Sequence, residues 1–311
     1  MSKPDWLGVY PALLTPFLQN EDIDFALFKK NLDEQIAAGV DGIVLCGSLG
    51  EASTLSQQEK IELLRFSLEE TKGGLPVIMN IAEQSTRDAV AAAQLAEKEG
   101  AHGLMLLPPL RYNADDRETL AFFSTVATST SLPIMIYNNP VDYKILVTLD
   151  MFGELAKLPN VQAVKESSRD ISNVTRMFNR FGNRFKVLTG VDPLAMESLC
   201  MGADGWVAGL VDAFPRETVA IFRLVKAGRY EEALKIYRWF LPLLELDIHP
   251  KLVQYIKLAA EMTGIGSAHV RAPRLSLQGE ELQRITAVIQ NALDVRPELP
   301  DYLSIEKTAL H

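Results

Sequence analysis

Eight short apolar runs alternate with eight longer amphipathic stretches over residues 8–227, and nothing else in the 311-residue chain restricts its fold as much. The runs are "GVYPALLTPF", "DGIVLCG", "LPVIMNIA", "GLMLLPP", "LPIMIYNNP", "VQAVKESS", "FKVLTGVD" and "ADGWVAGLV". They are almost continuously apolar, as expected of strands buried on both faces of a parallel sheet. Between the first two, Phe25, Phe28, Leu32 and Ile36 recur at helical spacing. Ser56 followed by Glu59 has the spacing of a capping box, and Ser85 and Gly100 bracket the next helix. Eight such units close naturally into a (β/α)8 TIM barrel; an open doubly wound sheet, the alternative, seldom carries eight. The pattern predicts an α/β barrel over residues 1–227. Residues 228–311 form a C-terminal three-helix extension packed on the barrel or supporting an oligomer contact, read from "RYEEALKIYRWFLPLLELD", "PKLVQYIKLAAEMTG" and "GEELQRITAVIQNAL". The polar tail "RPELPDYLSIEKTALH" is expected to be poorly ordered.

Composition narrows the function. Hydrophobic residues make up 48%, enough for a large core, and the net charge is −9 with no basic stripe, which disfavours nucleic acid and anionic membrane surfaces as partners. The two cysteines, Cys46 and Cys200, have neither metal-ligand nor disulfide-framework spacing. His102, His249, His269 and His311 are scattered, so no metal site and no cofactor is expected. The start "MSKPDWLGVYPALLTPF" does not read as a signal peptide, and no run reaches the ~18 apolar residues of a spanning helix. A cytoplasmic protein is the expectation.

In a barrel, chemistry belongs at the C-terminal ends of the strands. The unusual residues sit there: "CGSLGEAS", "PPLRYN", "YNNP", Lys165 and "TGVD". Gly47–Glu51 forms a glycine-flanked turn whose free N–H groups suit a small carboxylate, although a plain loop of two permissive glycines has the same composition. Tyr137 is either a core residue with a wet hydroxyl or a proton relay. Strand alternation puts residues 161, 163 and 165 on one face, so Lys165 would stand on an apolar layer. Desolvation there favours the neutral, nucleophilic amine, which condenses with a ketone or aldehyde to a Schiff base. The competing reading makes Lys165 a salt-bridge partner of Glu166 or Asp192.

Together, "GVYPALLTPF", "GSLGEASTLSQQEK", "YNNP", "VKESS" and "TGVD" resemble the dihydrodipicolinate synthase / N-acetylneuraminate lyase family over roughly residues 8–290. The resemblance implies a Schiff-base lyase of pyruvate or another small 2-oxo acid, usually a homotetramer built as a dimer of dimers. It implies that Lys165 is the Schiff-base lysine, Tyr137 the proton shuttle, and Ser48 a carboxylate-binding and relay hydroxyl beside Gly47. Gly190 and the segment near Trp206 would line the pocket. There are departures. Leu49 stands where the family has a second hydroxyl, leaving only its N–H. Asp142 stands where synthases proper carry a carboxylate-binding arginine. Arg111, with Tyr112 next to it, stands where a tyrosine reaches across the dimer interface. These departures disfavour the synthase reaction. "YNNPVDY" is similar to catabolic relatives, deaminases and dehydratases such as 1-pyrroline-4-hydroxy-2-carboxylate deaminase. The alternatives are dihydrodipicolinate synthase, a 2-keto-3-deoxy sugar acid or 4-hydroxy-2-oxoglutarate aldolase, or a non-catalytic ligand-binding paralogue.

Overall fold

The computed structural model describes residues 3–306. Its eight parallel strands are β1 (Gly8–Pro11), β2 (Ile43–Leu45), β3 (Val77–Ile81), β4 (Gly103–Leu106), β5 (Ile134–Asn138), β6 (Val161–Glu166), β7 (Lys186–Thr189) and β8 (Gly205–Ala208). They run β1-β8-β7-β6-β5-β4-β3-β2. The ring closes between β1 and β2, where Ala12 bridges Val44 and the Leu13 N–H donates to the Val44 carbonyl at 3.0 Å. The fold is therefore the (β/α)8 barrel and not the open sheet. All strand residues are buried except Gln162 and Lys186, which are half-buried. That double-sided burial is why the runs carry no polar alternation.

Helices α1 (Phe25–Ala38), α2 (Gln57–Thr71), α3 (Thr86–Lys98) and α4 (Asp116–Thr128) follow the first four strands. A single turn, α5 (Pro140–Tyr143), and α6 (Leu149–Leu155) follow β5; α7 (Ser172–Phe181), α8 (Ala195–Cys200) and α9 (Pro215–Lys226) complete the ring. The capping box that opens α2 is present: Ser56 Oγ accepts the Glu59 N–H at 3.2 Å, and Glu59 Oε2 accepts the Ser56 N–H at 2.7 Å. Ser85 likewise caps α3. In α1, Phe28 and Leu32 face inward, but Ile36 is exposed. The inner position goes to Gln35, whose Nε2 donates to the Val211 carbonyl at 2.9 Å. A buried loop carbonyl needs a donor more than the helix needs another apolar side chain.

The extension consists of α10 (Tyr230–Leu244), α11 (Leu252–Met262) and α12 (Gly279–Asp294), with α10 against α9 and α12 against α10 and α11. It does more than pack outside. After α10 the turn Glu245–Ile248 returns to the barrel mouth and delivers Asp247 to it. The tail is also ordered through residue 306, contrary to expectation. Buried Glu217 on α9 takes Arg296 in an ion pair (2.5 Å), and Arg223 Nη1 donates to the Ile305 carbonyl (2.8 Å). Buried charges on α9 need partners, and the tail supplies them. The end of the predicted tail, residues 307–311 including His311, lies outside the described residues. Among the described residues, no helix is long and apolar enough to cross a membrane.

Candidate active site

Lys165 and Tyr137 are register partners near the C-terminal ends of β6 and β5. The Lys165 side chain is only 7% exposed and its Nζ lies 4.3 Å from the centroid of the Tyr137 ring. Burial lowers its pKa, against the opposing fields of Asp247, Tyr143, Asp192 and Asp142. No carboxylate among the described residues pairs with it. Glu166 points the other way and accepts from Asn138 Nδ2 (2.9 Å), Asn173 Nδ2 (2.6 Å) and the Ser168 N–H (2.7 Å). Asp192 accepts from Trp206 Nε1 (2.9 Å) and from the N–H groups of Gly209 and Leu210. Both carboxylates named as salt-bridge partners are thus satisfied elsewhere.

Across the cavity, the Gly47–Leu49 turn is held between two residues in the left-handed region, Cys46 (φ 56°) and Glu51 (φ 57°). Such conformations persist only where the surroundings impose them. Asn80 Nδ2 donates to the Cys46 carbonyl at 2.9 Å, and Thr15 Oγ1 to the Gly50 carbonyl at 2.8 Å. Gly50 has to be glycine, since a Cβ there would lie 2.8 Å from the Leu13 carbonyl oxygen. The N–H groups of Ser48 and Leu49 donate to no acceptor among the described residues. They are available to an anion in the cavity.

The cavity measures ≈ 70 Å³. One water needs roughly 10–15 Å³ on this measure, so the cavity has room for a small molecule and not just a single water. Gly47, Ser48, Leu49, Tyr137, Lys165 and Gly190 all line it. Gly190 makes room for the amine: a Cβ there would stand 2.5 Å from Lys165 Cε and 2.3 Å from Ser167 Oγ. Gly190→Ala is expected to slow covalent capture at Lys165 by about 10²-fold, the scale for an ångström of misplacement. The check is the rate of borohydride-trapped adduct with pyruvate, with circular dichroism confirming the fold.

Three of the sequence-predicted residues are not brought in. Trp206 is fully buried against Asp192, and Val207 of β8 and Gly209 just after it line the cavity instead. A one-residue step along a strand reverses the face. Tyr112 is 61% exposed, with its hydroxyl donating to Glu118, and Arg111 lies beside it away from the cavity. Their loop points outward from this chain.

The cavity also holds residues that the sequence reading left unassigned as functional: Asn139, Tyr143, Ser167, Arg169 and Asp247. Tyr143 had a local signal. Asn139 before Pro140 reads as an N-cap with proline at the first helical position, and one helical turn later the chain returns residue 143 to the strand end. Asp247 had none, because it arrives from a different part of the chain. Burial raises its pKa well above the usual carboxylate range, with Asp192 adding to the effect.

Residues 5–292 match the dihydrodipicolinate synthetase family. The chain belongs to that family. It is accordingly an enzyme of the lyase class. Among curated relatives it is 30% identical over 285 residues to the 4-hydroxy-tetrahydrodipicolinate synthase of Methanospirillum hungatei, covering 91% of this chain and 98% of that one. It is 32% identical over 302 residues to an uncharacterized DapA-like lyase of Rhizobium meliloti, covering 93% and 99%. The solved 4-hydroxy-tetrahydrodipicolinate synthase of Methylacidiphilum fumariolicum superposes with a TM-score of 0.87 at 29% identity, over 93% of this chain and 96% of that one.

Proposed function

We propose that this chain is a Schiff-base lyase acting on a small 2-oxo acid or cyclic imine carboxylate, as a deaminase or dehydratase of the kind that handles 1-pyrroline-4-hydroxy-2-carboxylate. One observation carries the chemistry: a lysine amine buried in a cavity, with no carboxylate pairing it among the described residues, 4.3 Å from the centroid of a tyrosine ring. Lysines are almost never buried without a partner, and a desolvated one is a nucleophile at neutral pH. The Ser48 and Leu49 N–H groups hold the substrate carboxylate, and Lys165 attacks the 2-carbon. Tyr137 and Ser48 move protons, and water, ammonia or an aldehyde leaves from the enamine. The substrate class follows from the polar lining. Asp142 and Asp247 both line the cavity, and their carboxyl oxygens can accept hydrogen bonds from a hydroxyl or ring nitrogen of the substrate.

A second reading, condensation as in the synthases that the named relatives represent, is favoured by Arg169. It lines the same cavity, has no ion-pair partner among the described residues, and is held in the left-handed region (φ 64°). It would take the distal carboxylate that the arginine absent at position 142 otherwise takes. A tetrameric assembly in the cytoplasm accompanies either reading. The test is borohydride reduction in the presence of pyruvate, followed by peptide mass mapping. A reduced pyruvyl adduct on Lys165 is expected. An unmodified Lys165 rules the lyase mechanism out and leaves a ligand-binding paralogue. Turnover of a hydroxylated cyclic imine, measured against pyruvate plus an aldehyde acceptor, then separates the two readings.

A further inference from the structure

Ser48 shares its hydroxyl with a partner that the Schiff-base scheme above does not use. Tyr143 Oη lies 2.5 Å from Ser48 Oγ, and its ring meets the Tyr137 ring edge-on with centroids 5.5 Å apart. Tyr137, by contrast, receives Asn139 Nδ2 on its hydroxyl at 3.2 Å and makes no hydrogen bond to Ser48 among the described residues. The position of Tyr143 is imposed locally. Asn139 Oδ1 caps the Asp142 N–H at 3.1 Å, the Tyr143 N–H donates to the Asn139 carbonyl at 3.0 Å, and Lys144 ends the turn at φ 62°. Tyr143 lines the cavity that holds Lys165, while Ser48 is exposed.

We propose that Tyr143 is a catalytic residue, the phenol that passes protons between solvent at Ser48 and the carbinolamine on Lys165, so that one chain carries the whole relay. This inference rests on the Schiff-base reading. The step balances as follows. The lysine nitrogen bonds to the 2-carbon as the C=O π bond opens, and a proton moves from nitrogen to oxygen, giving the carbinolamine. The C–O bond then breaks, the hydroxyl leaves as water with one further proton, and the nitrogen lone pair forms the iminium. Amine, ketone and one proton become iminium and water. That one proton comes from the Tyr143 hydroxyl, is replaced from Ser48, and is replaced there from solvent. Burial keeps Tyr143 protonated, with the neighbouring Tyr137 acting in the same direction. The hydroxyl of Tyr112, beside the position where the resemblance puts a tyrosine reaching from a partner chain, is occupied on the surface by Glu118.

The experiment uses full-length protein and pyruvate, quenched with borohydride at increasing times. Tyr143→Phe keeps the ring against Tyr137 and removes only the hydroxyl. It is expected to reach the same final adduct about 10²-fold more slowly, the usual contribution of a positioned proton donor. The deficit should widen as pH rises and solvent offers fewer protons, a trend that a purely structural role would not produce. Tyr112→Phe should form adduct at the wild-type rate. Equal rates for wild type and Tyr143→Phe at every pH overturn the proposal while leaving the Schiff-base reading intact. So does an equal loss in Tyr112→Phe, which points to a partner chain's tyrosine as the donor. Absence of any wild-type adduct overturns both.

Discussion

Lys165→Met is expected to abolish turnover, by roughly 10⁴-fold or more, and to leave a protein at least as stable as the wild type. The first half follows from removing the covalent nucleophile, on which the remaining groups depend. The second follows from burial. The wild-type amine is enclosed by the cavity walls, and desolvation is the largest cause of its lowered pKa. Methionine is unbranched and one atom shorter, and places no charge there. The linkage has a definite sign. Between the lowered native pKa and the ordinary lysine value of 10.5, the unfolded chain holds a proton that the folded chain does not. Wild-type stability therefore falls as pH drops through that window, and below the native value the penalty is constant. Lys165→Met lacks this slope, so its advantage in melting temperature should grow as pH falls from 10.5 and then level off. The same shift predicts that adduct formation in the wild type rises with pH to a plateau whose midpoint lies below 10.5. A variant that melts lower and keeps turnover would instead make Lys165 a structural residue.

The barrel was legible because its determinants are local and repeated. Eight runs buried on both faces leave the same mark in sequence wherever they occur. Lys165, Tyr137 and the Gly47–Leu49 turn were legible for the same reason: they stand at strand ends, where polarity interrupts an apolar run. What stayed hidden depended on geometry between distant segments. Trp206 and Val207 are adjacent, and only the strand's rotation decides which of them faces the cavity. Asp247 enters through a turn that follows α10, 82 residues after Lys165, and no periodicity announces it. The order of the tail through residue 306 depends on Glu217 and Arg223, whose need for partners shows only once α9 is buried. Tyr143 lies between these cases. The Asn-Pro start of its helical turn was visible, but its contact with Ser48, 95 residues away, was not.

Glu51→Gln is expected to be the most destabilising single substitution near the cavity that touches no reacting group. Glu51 is fully buried and its Oε1 lies 2.5 Å from Nζ of Lys257, itself 1% exposed. Its Oε2 accepts the Arg271 N–H at 3.2 Å and lies 3.5 Å from Arg274. The Lys257 ammonium also donates to the His269 carbonyl at 2.6 Å and sits 4.4 Å from the Phe17 ring centroid. Burial draws the Lys257 pKa down to about 8, so the amine is still charged at neutral pH and needs its anion. Removing one partner of such a pair typically costs about 3–5 kcal/mol. At roughly 2 °C per kcal/mol for a chain of this size, the melting temperature should drop by roughly 5–10 °C. Lys257→Met added to Glu51→Gln should recover part of the loss, since the stranded cation is then gone. The functional consequence travels through the backbone. Glu51 is the left-handed residue that ends the carboxylate turn, and its ion pair ties that turn to α11. Loosening it should raise the pyruvate concentration that half-saturates adduct formation, while the limiting rate at Lys165 changes less. A variant with wild-type half-saturation and a lowered melting temperature would separate the ion pair from the carboxylate turn, leaving it a stability element alone.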